Sequence, residues 1–182
     1  MPPSHVSLSR EEMQFLSIGV EYYIAARSAA REGLINVVGV LFHHAIEMCL
    51  KARLSHQHGL KKLSQKPFGH DLDALWHEFK AQFPQANLNR FDHTIQAVDA
   101  FWKIRYPDKI VAEGAQIILN WDPCPGTGRP ASPPCYEIVV TDIDHLILDV
   151  FKICSRNFSA FVGGKNEYKR DALGWDNPAY SG

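Results

Sequence analysis

Four cysteines, none of them in a CxxC pair, are too few and too scattered for a disulfide framework or a thiolate metal knuckle. Cys49 and Cys154 sit among apolar neighbours at helical spacing and read as small core residues. Cys124 and Cys135 flank a Pro/Gly-rich loop. They are either two reduced thiols or partners across a hairpin, in a disulfide or half a metal site. Excess charge is also missing: 19 basic against 20 acidic residues leave a formal net charge of -1, so no bulk attraction to nucleic acid or membrane exists and any basic patch has to be local. Uninterrupted apolar runs stop well short of the roughly 18 residues that span a bilayer. MPPSHVSLSREE has no basic segment followed by an apolar one, so no signal peptide is visible and a cytoplasmic location is expected. GxSxG, GxGxxG after a strand, a P-loop and HExxH are all absent. No motif implies a cofactor, and none is expected.

What remains is 182 residues, 46% hydrophobic and 21% charged, enough for one domain with a full core. Ser9 followed by Glu12 is a capping-box pattern, and Met13, Leu16, Val20, Tyr23 and Ile24 recur at helical steps up to about Arg31. A second helix is expected from Leu34 to His58, stopped by Gly59. It is apolar on several sides and therefore central. After the basic connector LKKLSQKPF, His70 or Asp71 caps a third helix that Pro84 stops. A fourth spans about Leu88 to Ile104 and ends at Arg105-Tyr106-Pro107, because the residue before proline avoids helical geometry. AQIILNW and YEIVVT are β-type runs separated by DPCPGTGRPASPPC, which predicts a two-stranded ribbon with a long tip. Thr141 or Asp142 then caps a last helix reaching about Phe161. The fold class is all-α: an antiparallel up-and-down bundle of about five helices, with the ribbon inserted before the last one. Residues 1–164 form the bundle. Residues 165–182 form a polar tail, disordered or draped over a neighbour, with Trp175 and Tyr180 as its anchors.

The central helix carries one polar quadrant. At about 100° per residue, His43, His44, Glu47 and Lys51 fall together, flanked by Asn36 and His58. A solvated face with an ordinary i, i+4 pair, worth about 0.2–0.5 kcal/mol, is one explanation. The other is a polar pocket between helices in which Glu47 meets a cation such as Arg105 or His70. A cation shared by His43 and Glu47 is a third, but His44 points about 100° away and no second ligand pair completes a tetrahedron, so no metal is expected. His70 also has a plainer role, capping its helix.

The stretch HHAIEMCLKARL, the helix start GHDLDAL and the RYP ending of the fourth helix together resemble the HEPN family of helical bundles, over about residues 10 to 162 apart from the ribbon. The resemblance implies an up-and-down bundle that commonly forms a homodimer, and many members accompany a nucleotidyltransferase in toxin–antitoxin or defence systems. Some members are metal-independent ribonucleases with an R-x4-6-H motif, in which histidine transfers protons and arginine steadies phosphate charge. Arg105 stands where that arginine is expected, but RYPDKIVAEGA supplies no histidine. Arg53 and His58 fit R-x4-H, yet at the end of the second helix. The expectation is therefore a non-catalytic module, with Glu47, Lys51, Arg53, His70, Asp71 and Arg105 around a nucleotide, RNA or partner protein. Two alternatives stand beside it. One is a ribonuclease using His58 or His70. The other is an interaction domain whose ribbon exposes Trp121 and Tyr136.

Overall fold

A computed structural model describes residues 8–123, 133–162, 167–174 and 177. The elements are α1 (Arg10–Arg31), α2 (Ile35–Leu54), α3 (Leu60–Leu63), α4 (Leu72–Gln82), a 3₁₀ turn (Asn89–Phe91), α5 (Asp92–Lys103), α6 (Pro107–Glu113), β1 (Gln116–Asn120), β2 (Cys135–Val139), α7 (Val140–Ile153), α8 (Ser159–Val162) and α9 (Glu167–Gly174). The protein is mostly helical, as its periodicity requires. Ser9 caps α1, its Oγ accepting from the Glu12 N–H at 3.0 Å. Glu12 does not complete the box. Its buried carboxylate instead takes Arg156 at 2.9 and 3.0 Å and His56 at 2.7 Å.

α1 and α2 form a tight antiparallel hairpin through Gly33, whose φ of 70° suits a residue without a Cβ. α2 lies at the centre, against α1, α4, α5, α7 and β1. By length and composition it is long and apolar enough to cross a membrane, but 61% of that stretch is buried inside this molecule, as in a core helix. Phe42, Ala45, Ile46 and Leu50 are fully buried. Gly39 lets α5 approach: a Cβ there would overlap the Phe101 ring and stand 2.7 Å from its Cβ.

Several boundaries differ from expectation for definable reasons. α2 ends at Leu54, not His58. SHQH offers no apolar side chain for another buried turn, and Ser55 Oγ turns back to the Ala52 carbonyl at 2.7 Å. The basic connector contains α3, begun at Gly59. Pro107 both stops α5 and opens α6, since proline suits the first helical position, where no N–H bond is needed. The last expected helix is broken: α7 runs directly out of β2, with Thr141 and Asp142 inside its first turn, and stops before Ser155 (φ 55°). α8 and α9 follow it.

The two strands pair in parallel, Gln116 with Cys135 through Asn120 with Val139. The chain between them is thus a crossover and not a hairpin tip. Cys124, most of that crossover, and Trp175 and Tyr180 lie outside the described residues. Cys49, Cys135 and Cys154 are free thiols, and burial pushes Cys49 above the ordinary range and Cys154 to about 12.

A buried polar latch joins the two ends of the described chain. Asp144 on α7 accepts from Tyr23 and pairs with Arg27, both on α1. Arg27 Nε also donates to the Ala172 carbonyl of α9 at 2.9 Å, and Asn177 Nδ2 to the Tyr23 hydroxyl at 3.1 Å. Burial raises Asp144 in spite of Arg27, and burial followed by Asp144 raises Tyr23.

Candidate functional site

The polar quadrant of α2 is buried, not solvated. Glu47 and His43 have no exposed surface and Lys51 has 6%. Glu47 sits where α2 faces the Gly69–Asp71 turn and α5. Lys51 Nζ donates to Glu47 Oε1 at 2.6 Å and to the Gly69 carbonyl at 2.6 Å, so one ammonium ties α2 to the turn before α4. Three imidazole nitrogens stand around the other carboxylate oxygen, Oε2: His70 Nδ1 at 3.1 Å, His44 Nδ1 at 3.4 Å and His43 Nδ1 at 3.7 Å. Burial alone would raise the Glu47 carboxyl. The His44, Lys51 and His70 donors and the Lys51 charge outweigh it and hold the group at about 2. The pair is thus an internal ion pair and not a surface one.

Trp102 of α5 closes the site. Its ring stacks on His43 at 5.0 Å and 19°, lies 4.8 Å from His70, and meets His44 edge-on at 5.4 Å. Arg105, just past α5, lays its guanidinium 4.2 Å from the Trp102 ring and 4.6 Å from the Tyr106 ring. Arg105 and Tyr106 are exposed. Asp99, one turn before Trp102, accepts from the Leu72 N–H at 3.3 Å and from Lys103 at 3.1 Å, and reaches 3.9 Å from His43 Nε2. The His43 imidazole first, and Lys103 after it, hold Asp99 below the ordinary carboxylate value against the effect of burial. Outside this layer lies an open groove of about 920 Å³ between the 66–73 segment and the end of α5, with His70, Trp102, Lys66 and Lys103 on its walls.

Of the residues singled out by sequence, Glu47, Lys51 and His70 meet directly, and Arg105 joins them through Trp102. Asp71 caps α4, accepting from the Ala74 N–H at 2.9 Å, and lines the groove. Arg53 is elsewhere, over the Phe83 ring at 5.2 Å. His58 pairs with Glu78 at 2.9 Å and rests near Phe68, so nothing couples it to Arg53. Trp121 and Tyr136 are half-buried instead of exposed: Arg27 lies 5.4 Å from the indole, and the Tyr136 hydroxyl donates to Glu113 at 2.9 Å. Asp99 and Trp102 were missed as site residues. Their one signal was that both lie within six residues of Arg105, on the last turns of α5 just before it.

The family model of the HEPN domain matches residues 13–120, which takes in all of this layer. No curated protein and no solved structure matches the chain. With more than half of its length matched, the chain belongs to the HEPN family.

Proposed function

From HEPN membership we propose that this module binds a phosphate-bearing base, as a free nucleotide or within RNA, in the groove beside Trp102, without cutting it. The observation that carries this reading is the ladder Trp102–Arg105–Tyr106, which runs from the half-buried Trp102 in the groove wall out to the exposed Arg105 and Tyr106. A guanidinium held 4.2 and 4.6 Å from two ring centroids is placed for phosphate oxygens, and the exposed Tyr106 offers a base a stacking surface. Lys66 and Lys103 on the groove wall are balanced by Asp71, Asp73 and Asp99, so Arg105 is the cation this reading assigns to the phosphate. Glu47 and Lys51 serve behind the wall. Saturated by each other and by the turn, they fix His70 instead of touching the ligand.

Calorimetric titration with mononucleotides and short single-stranded RNA tests this. Arg105→Ala should weaken binding by about tenfold or more, as expected for a charge-assisted hydrogen bond. Equal binding by wild type and Arg105→Ala would overturn the assignment.

Cleavage by an atypical pair is a second reading, and one observation favours it. His70 and Arg105 come from separate elements onto the same indole. Glu47 engages His70 Nδ1, which leaves Nε2 of a half-exposed imidazole for proton transfer. RNA cleavage by wild type that His70→Ala abolishes would select this reading over binding alone.

A further inference from the structure

We propose that His43, His44, Glu47 and His70 form a tetrahedral site for a divalent transition-metal ion, of which Zn²⁺ is the fitting type. The ligand set is three neutral imidazoles and one carboxylate, the donor chemistry such ions take. This inference does not rest on nucleotide or RNA binding.

The geometry carries it. With metal–ligand bonds of about 2.0–2.2 Å, tetrahedral ligands stand about 3.3–3.6 Å apart. Glu47 Oε2 has the three Nδ1 atoms at 3.1, 3.4 and 3.7 Å. The donor atoms of His43, His44 and Glu47 lie within 4.8 Å of one another. Helical spacing explains the convergence. His44 is at i, i+3 and His43 at i, i+4 from Glu47, so both rings lean over the same turn although their Cα vectors diverge by about 100°. His70 supplies the fourth ligand from another element. The close group of donors is His43, His44 and Glu47; His70 Nδ1 is held at Oε2, and its 54% exposed ring has room to turn about that contact toward the ion.

A second, independent observation is His43. Its side chain is wholly buried, and neither ring nitrogen makes a hydrogen bond. An imidazole shut away with two idle nitrogens is costly. Coordination through Nδ1 removes one, and the remaining Nε2–H then faces the Asp99 carboxylate, 3.9 Å away, an outer partner of the kind metal-bound histidines have. In the metal-bound form each imidazole presents Nδ1 and carries its proton on Nε2, so the Nδ1 protons that His44 and His70 direct at Glu47 move to Nε2 as the ion takes their place. Lys51 stays on Oε1, the oxygen the ion does not use. Three histidines and a carboxylate close the tetrahedron, which makes the site structural: it pins the turn before α4 to α2.

The full chain, stripped with chelator, is titrated with Co²⁺ and followed by visible absorption. One ion per chain is expected, with the intense d–d bands of tetrahedral cobalt, no thiolate charge-transfer band, and displacement by Zn²⁺. His44→Ala and His70→Ala, at partly exposed positions that leave the core intact, should each weaken binding by at least about tenfold, the scale of losing even an outer partner. Circular dichroism confirms that both variants fold. Absence of saturable one-to-one binding overturns the site. So does a thiolate band, or unchanged affinity in both variants.

Discussion

At the level of single residues, Lys51 decides how the interior of this HEPN domain tolerates charge. Its ammonium is the cation that offsets the buried Glu47 carboxylate, and it also satisfies the Gly69 carbonyl. Lys51→Met keeps most of the side-chain volume but strands the carboxylate, and should cost about 3–5 kcal/mol in urea unfolding. Adding Glu47→Gln should restore part of that loss. If the double variant is as unstable as the sum of the two single ones, the pairing is energetically empty. This cluster was legible in the sequence because Glu47 and Lys51 are one helical turn apart and the GHD turn follows within a short reach. Trp102 was not. Nothing in the stretch from Leu88 to Ile104 sets it apart from the other apolar residues of that helix, and only the packing of α5 on α2 shows that it sits among three imidazoles and a guanidinium. Arg53 and His58 misled for the opposite reason. Their spacing suits a continuous helix, but the helix ends at Leu54, so His58 lies beyond a turn.

Among the secondary-structure elements, the contact between α2 and α5 brings Trp102 to the histidines, and Gly39 is what allows it. Gly39→Ala gains helix propensity yet places a methyl into Phe101. Overpacking of this kind costs about 1–3 kcal/mol, which exceeds the gain of roughly 1 kcal/mol from replacing a helical glycine. Thermal unfolding should show a net loss, and a more stable variant would mean that the helices are not in this contact. The long helices were legible because each carries an unbroken 3.6-residue stripe. The short ones were not. α6 starts on a proline that looks like a terminator, and α9 has too few apolar positions to announce itself before Ala172 and Leu173 are seen packed on the bundle. Strand direction was equally hidden, because two β-type runs and a loop are compatible with either a hairpin or a crossover, and only the register distinguishes them.

For the whole molecule, the polar latch makes the segment after α8 part of the fold's stability. A chain ending at residue 164 would lose the fully buried Leu173, the Ala172 carbonyl on Arg27 and the Asn177 amide on Tyr23. Leucine burial and the lost bonds predict about 2–4 kcal/mol of destabilisation, read as a lower urea midpoint. An unchanged midpoint would show that this segment is an accessory. The same latch has a consequence for synthesis. Tyr23 must wait for Asn177, 154 positions further on. At about 5–20 residues per second, the ribosome takes about 8–30 s to cover that distance. Asp144, made earlier, takes Tyr23 and Arg27 first, so the nascent domain holds its latch half closed until the stretch around Asn177 has left the exit tunnel.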